Sequence, residues 1–429
     1  MGSTLAGTIT RGANNLLKFA YDVGYRAAAD ATPISLSMPI AIREHVDSTS
    51  RRTVSNFLWG LLPDNELVLS RWARHYQVRS TTPFHLLGTP VGEDCAGAIA
   101  FVPQDGVDAL VERRGSVEWL TQDDLETIVA DLRADRTAWL GRDFAGQFSL
   151  AGAQAKTALL HEEGRWGRPT GARATTHIVK PASAGWADQD VNEHVCLDAA
   201  HRAGLVVPRS RIERFGTETA IVVERYDRLV RADGIARVHQ EDMCQALGLH
   251  PEHKYENNGG PSVRTIANLL RRAMPPRDAA DAIDRFADAL AWNWIIGGTD
   301  AHAKNYSLLL AGRTVRLAPL YDLSSVLPYV GERGPNGEMI SERRIGMAMK
   351  VGGEYDLFPP RNTWERAAAD LGVSGDHLMT RVVRLVAAAP AAFAAAAAEP
   401  AVASLRSPVI ERLVAAVDAR ARQCADVLP

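Results

Sequence analysis

Gly297-Gly298-Thr299-Asp300-Ala301-His302-Ala303-Lys304-Asn305-Tyr306-Ser307 is the stretch on which the reading of the fold turns. Ahead of it, Ile283, Phe286, Ala287, Leu290, Ala291, Trp294 and Ile295 recur at helical spacing. Gly297 and Gly298 end that helix and free the backbone to turn. Behind it, Ser307 to Leu310 reads as an apolar strand. A polar loop held between two core elements is a common place for chemistry.

Asp300 and Asn305 form an Asp-x4-Asn arrangement, and a second acid, Asp322, follows the next strand in Leu320-Tyr321-Asp322-Leu323. In phosphoryl transfer one Asp orients or deprotonates the attacking hydroxyl, while an Asn and a second Asp hold the magnesium that bridges the phosphates. Protein kinases use this order and this spacing. A loop with capping Asp and Asn is the ordinary alternative, so the upstream chain bears on the choice.

Upstream, small residues interrupt a strand hairpin in Phe148-Ser149-Leu150-Ala151-Gly152-Ala153-Gln154-Ala155-Lys156-Thr157-Ala158-Leu159-Leu160. Such a loop lets backbone N–H groups approach phosphate oxygens. It is not a Walker motif, because Gly-x4-Gly-Lys-Ser/Thr is absent; a plain hairpin turn remains open. Thr176-His177-Ile178-Val179-Lys180 then ends a β-branched strand on a lysine, like the kinase strand whose Lys grips the α- and β-phosphates. An edge lysine reaching for solvent is the alternative. The helix expected over Asp190 to Ala203 carries Glu193, spaced to pair with Lys180. Ala220 to Arg228 reads as an apolar strand running into a charged turn, where a hinge would offer backbone groups to adenine and a polar residue to ribose.

The composition is that of an ordinary soluble protein of two or three domains: 429 residues, 46% hydrophobic, 23% charged. A formal charge of −3 gives no support for nonspecific nucleic-acid binding by the whole chain. The 4 cysteines, Cys95, Cys196, Cys244 and Cys424, lie far apart, which suits a reducing cytosol. No signal pattern opens the chain, and the alanine-rich tract Leu385 to Ala403, broken by Pro390 and Pro400, reads as helix pieces and not as a membrane span. A cytoplasmic location without a membrane partner is expected. His239, Cys244, His250 and His253 match no usual zinc spacing.

Residues 1–105 read as strand-rich, with strands at Gly7–Thr10, Leu17–Tyr21, Ile34–Pro39 and Ala98–Pro103 and helices at Val54–Leu62 and Leu67–Tyr76. A linker over Gln104–Gly115 precedes a helix capped by Thr121. From Ile235 onward the pattern is mostly helical, closing on a helix with Ser407 as cap and Pro408 at its first position.

With these motifs in order, the sequence resembles the HipA family, serine/threonine kinase toxins of bacterial toxin–antitoxin pairs. The likeness is spread over nearly the whole chain. It is carried by Ser149 to Leu160, Thr175 to Lys180, Val223 to Arg228, Gln240 to Gln245, Lys254-Tyr255-Glu256 with Gly259-Gly260-Pro261, Gly298 to Asn305 and Tyr321-Asp322-Leu323. Pro33 to Ser37 and Leu61-Leu62-Pro63-Asp64 carry it through the first domain. The resemblance implies an α+β, two-lobed protein-kinase-like fold with an extra strand-rich N-terminal subdomain (1–105), an ATP-binding N-lobe (106–230) and an all-α C-terminal lobe (231–429). It implies Asp300 as the catalytic residue and Asn305 and Asp322 as magnesium ligands. Lys180 would contact phosphates, and Ala151, Gly152, Ala153, Gln154, Ala155 and Lys156 would form the phosphate loop. Glu224, Arg225 and Tyr226 would be the hinge, with Asp227 near the ribose. His302, Lys304 and Tyr321 would complete the ATP site. Ser149 matches the serine that the family autophosphorylates as an off-switch.

Two departures stand out: Ala155 where a glutamate can occur, and Ala301 where a glycine can occur. The implied reaction is transfer of the ATP γ-phosphate, with Mg2+, to a protein, an aminoacyl-tRNA synthetase in the family's manner, so that translation is inhibited. The implied partners are a HipB-type DNA-binding antitoxin and, through that complex, operator DNA. Two alternatives differ in class: an idle co-repressor subunit, and a small-molecule kinase of the aminoglycoside-phosphotransferase sort, which the N-terminal domain and the Ser149 context fit less well.

Overall fold

Apolar side chains alternate along Leu17–Tyr21, and this strand, β2, pairs antiparallel with β1 (Gly7–Arg11) and β3 (Glu44–Val46) in the order β1-β2-β3. Leu17, Phe19 and Tyr21 join the helices Thr53–Trp59 and Glu66–His75 in one core, which also takes in Phe148, Leu150 and Ala155. The computed structural model describes residues 4–107, 115–141, 146–232, 234–334, 337–357, 360 and 362–428. The expected linker lies outside the described residues over 108–114.

Two of the expected strands are replaced by irregular backbone. In Ile34–Pro39 the Met38 N–H turns back to Ser35 O at 3.0 Å. Its other polar groups find side chains instead of a ladder: Ile34 N–H donates to Tyr21 Oη at 2.8 Å, and Tyr21 Oη donates to Met38 O at 2.6 Å. Ala98–Pro103 likewise has no strand; Phe101 N–H donates to Gly92 O at 2.8 Å, with no neighbouring strand to extend the pairing.

The central sheet runs β4 (Val117–Trp119), β6 (Arg165–Pro169), β5 (Thr157–Glu162), β7 (His177–Lys180), β9 (Glu218–Glu224), β8 (Ser210–Phe215), antiparallel throughout. Period-two alternation divides its buried side chains between two cores. Ala220 and Val222 pack with Leu125 and Val129 of the helix Gln122–Ala134, whose Thr121 cap is completed by Asp124. Ile221 and Val223 share a core with Val191 and Val195 of the helix Gln189–Arg202.

After the hairpin β10 (Arg228–Arg231) and β11 (Gly234–Arg237), the chain enters the second lobe. The lobe expected to be all α is helical in bulk. It also carries a three-stranded sheet of β12 (His239–Asp242), β13 (Ser307–Ala311) and β14 (Thr314–Leu317), and a hairpin of β15 (Gly346–Val351) and β16 (Glu354–Asp356). The tract Leu385–Ala403 is mostly the end of one continuous helix, Gly375–Ala397, with Pro390 inside it. That helix is the one among the described residues long and apolar enough to cross a membrane by length and composition. Its Leu378, Val382, Leu385, Ala389 and Phe393 are buried in the lobe's core, beside the helices Gln189–Arg202 and Pro408–Val427.

Buried charge ties the N-terminal domain to the end of β9. Asp94 accepts from Arg228 (2.9 Å), Arg237 (3.1 Å) and Arg225 (3.4 Å), and from the Thr175 hydroxyl at 2.6 Å. Asp227 accepts from Arg225 and from the Gly97 N–H at 2.6 Å. Burial alone would raise the Asp94 carboxyl; the three guanidiniums, Arg228 foremost, hold it well below the usual range. Removing one member of such a network strands the others in a poorly solvating interior. Asp94→Ala is therefore expected to cost about 3–5 kcal/mol of stability, read as a lowered urea midpoint. A loss under about 1 kcal/mol would show that the arginines find other partners.

Candidate active site

The loop after the helix Pro276–Ile296 is placed by backbone that only glycine allows. Gly297 has φ +64°, and a Cβ there would lie 2.8 Å from Leu327 Cγ; a Cβ on Gly298 would lie 2.2 Å from Asn293 Oδ1. The loop then folds on itself. Asn305 Nδ2 donates to Asp300 O at 2.9 Å and His302 N–H to the same oxygen at 2.8 Å. The Asn305 amide thus spends a donor on the loop and keeps its Oδ1 as an acceptor. Tyr321 Oη donates to Lys304 O at 2.5 Å. Asp300 itself is exposed, and Tyr255 Oη donates to its Oδ1 at 2.5 Å.

Lys180, at the end of β7, is 5% exposed and links both lobes. Its Nζ donates to Glu193 Oε1 at 2.8 Å, the pairing the helix spacing suggests, and also to Asp322 Oδ1. Burial would lower the Lys180 pKa, but the two carboxylates outweigh it and hold the ammonium charged. For Asp322 burial would raise the pKa; Lys180, then Lys156, hold it below the usual range. Asp322 adopts φ +53°, a left-handed conformation that Asp tolerates better than most residues.

The phosphate-loop candidate reaches the same place. Gly152 has φ +107°, and a Cβ there would lie 2.6 Å from Lys156 Nζ. Lys156 is buried, donates to Ala151 O at 2.7 Å and lies 5.1 Å from the Trp139 ring centroid. Burial and the neighbouring Lys180 charge push its pKa down to about 8. Gln154 Nε2 donates to Pro181 O at 3.2 Å.

These residues line one cleft of about 320 Å³. Ala151, Gly152, Ala153, Gln154, Lys156, Lys180, Glu224, Arg225, Tyr226, Asp227, Asp300, His302, Lys304, Asn305, Tyr321 and Asp322 all border it. Two of the sequence candidates do not. Ala155 is packed into the N-terminal core, and Ser149 is fully buried, its Oγ donating to Leu61 O at 2.8 Å.

The hinge candidates are more committed than expected. Glu224 N–H donates to Arg209 O and Arg225 N–H to Thr176 O. Asp227, expected near ribose, borders the cleft, and its two carboxylate oxygens accept from Arg225, one of them also from Gly97 N–H. Tyr226 and Tyr321 stack with ring centroids 5.6 Å apart, and Tyr226 Oη donates to Gln240. His302 is held neutral, burial pushing its pKa down to about 4, and its Nδ1 has no hydrogen-bond partner among the described residues.

Sequence reasoning missed Asp64, Gln240, Gln245, Lys254 and Tyr255 as site residues. The first four border the cleft and Tyr255 touches Asp300. Their motifs were visible, but no local spacing ties them to Asp300.

A strand lysine paired with a helix glutamate, next to an Asp-x4-Asn loop and a following Asp, defines a protein-kinase-like phosphotransferase. Comparison with known proteins agrees. Residues 1–102 match the HipA N-terminal domain and residues 148–393 the HipA-like C-terminal domain. The putative kinase Y4mE of Sinorhizobium fredii is 32% identical over 384 residues, 89% of this chain and 87% of that protein. The serine/threonine-protein kinase toxin HipA of Shewanella oneidensis is 28% identical over 379 residues, 84% of this chain and 80% of that protein. The solved complex of Shewanella oneidensis HipA, HipB and operator DNA superposes with a TM-score of 0.79 at 25% identity, over 99% of this chain and 97% of that one. The chain belongs to the HipA family. It is a kinase, and use of ATP follows from that membership.

The lowered pKa of Lys156 leads to an expected pH dependence of nucleotide binding. Phosphate beside a lysine raises its pKa, so binding above pH 8 must take up a proton. ATP affinity is therefore expected to weaken by up to about tenfold per pH unit above 8, and Lys156→Met should flatten that slope. Nucleotide titration at pH 7, 8 and 9 checks this; a flat profile for the unaltered chain contradicts it.

Proposed function

We propose that this protein is a toxin kinase that transfers the ATP γ-phosphate to a serine or threonine of a protein, and so inhibits translation. The observation that carries the reading is the convergence of Lys180 with Glu193, Lys156, Asp300, Asn305 and Asp322 on one cleft. Asp300 receives or orients the acceptor hydroxyl, the group whose place Tyr255 Oη now takes. Lys180 and Lys156 grip phosphates, and the small residues of 151–155 bring backbone N–H groups close to them. His302, neutral and with its Nδ1 unpaired among the described residues, offers a further polar contact.

Asn305 Oδ1 and the Asp322 carboxylate are oxygen donors, the set a hard divalent cation takes. Magnesium held there would neutralise phosphate charge. Asp322 would then exchange part of its bond to Lys180 for the metal.

Self-modification at Ser149 is the proposed off-switch. A phosphoserine carries about −1.5 to −2 charge. It could not stay in the fully buried site against Leu61 O, so the loop that follows would be displaced. The proposed target is an aminoacyl-tRNA synthetase. The proposed partners are a HipB-type antitoxin and, through it, operator DNA; the likeness to the Shewanella complex supports both.

Peptide mass spectrometry after incubation with Mg-ATP tests the reading. Phosphate is expected on Ser149 in the unaltered chain. In Asp300→Asn it should be lost or slowed about 10²–10⁴-fold. No phosphate on any residue or acceptor, with ATP binding intact, would move the protein to an idle co-repressor role.

A further inference from the structure

Asp64 lies in the N-terminal domain, within Leu61-Leu62-Pro63-Asp64, yet its carboxylate borders the cleft. Lys304 Nζ donates to its Oδ1 at 2.6 Å, and Lys254 Nζ to its Oδ2 at 2.8 Å. Its own N–H donates to Gly152 O at 3.0 Å. One residue therefore touches the phosphate loop, the loop of Asp300, and the segment whose Tyr255 holds Asp300.

Its position is built and not incidental. Leu61 and Leu62 are fully buried just ahead of it. The helix Thr53–Trp59 is fastened to the second lobe by Asn56 Nδ2 donating to Gly248 O and Gln245 Nε2 donating to Phe57 O, both at 2.9 Å. Burial alone would raise the carboxyl, but Lys304 and Lys254 hold it ionised, well below the usual range. An anion on the wall of a polyphosphate cleft repels the ligand, so it opposes simple tight binding. What it provides is fixed placement: Lys304 is 5% exposed, and its ammonium has one defined acceptor.

We propose that Asp64 is a positioning residue for phosphoryl transfer, holding Lys304 and Lys254 beside Asp300 and the phosphate loop and limiting how tightly their charge grips ATP. The inference rests on reading this cleft as the transfer site. It makes the N-terminal domain a working part of the kinase.

The test uses the full chain with two readouts: ATP affinity by titration, and phosphate transfer at saturating Mg-ATP. In Asp64→Asn the repelling charge is gone and a single amide oxygen is left for two ammoniums, so ATP should bind roughly tenfold tighter. Transfer at saturation should fall about tenfold or more, because the lysines lose their placement. A residue that only braced the fold would weaken binding on removal. Asp64→Glu keeps the charge on a longer arm; its affinity should match the unaltered chain while transfer falls several-fold. Unchanged or weaker ATP binding in Asp64→Asn overturns the proposal. So does undiminished transfer in Asp64→Glu, should the Asn variant fail to fold. Tighter binding in Asp64→Asn, with no transfer by the unaltered chain, would sustain the charge argument and defeat the kinase reading instead.

Discussion

One ammonium group organises the molecule. Lys180 Nζ lies buried between Glu193 of the helix behind the central sheet and Asp322 of the second lobe. Each charge there pays a desolvation penalty that only the others offset. Two carboxylates around one lysine leave an excess negative charge, and Lys156 supplies the further cation that holds Asp322 ionised. The arrangement needs strand, helix, phosphate loop and second lobe to be assembled together. A site of this kind is electrostatically incomplete without any one of them.

Much of this was legible in the chain. The Asp300, Asn305 and Asp322 order, the strand-ending Lys180 and the helix-borne Glu193 are local patterns, each within one or two elements. Helices with strong periodicity, such as Pro276–Ile296, and caps such as Thr121 and Ser407 could be read for the same reason. Residues whose role depends on distant partners could not. Asp64 meets lysines 190 and 240 positions away, and nothing near it in sequence marks a cleft. Ile34–Pro39 alternates like a strand, but Tyr21 Oη and Ser35 Oγ satisfy its polar groups and its neighbours', so no ladder forms. Arg225 and Arg228 flank Asp227 in the stretch Val223 to Arg228, but their shared pairing with distant Asp94 could not be read from that stretch.

The end of β9 shows how one segment serves two ends. The backbone at Glu224 and Arg225 closes the central sheet, while the Arg225 side chain anchors the N-terminal domain through Asp94 and Cys95 O. The stacked pair Tyr226 and Tyr321 adds aromatic surface to the cleft, beside Ile178 and Val223.

The ion cluster at Asp94 also sets a clock on biosynthesis. Its guanidinium partners Arg225 and Arg237 lie 131 and 143 positions further along the chain. At ordinary elongation speeds of about 5–20 residues per second, Asp94 waits roughly 7–30 seconds for them after leaving the ribosome's catalytic centre. During that interval the N-terminal domain carries an unmatched carboxylate on a surface destined to be buried. The cleft, which takes residues from Asp64 to Asp322, is completed later still. A growing chain of this kind cannot complete the cleft until it is three-quarters made.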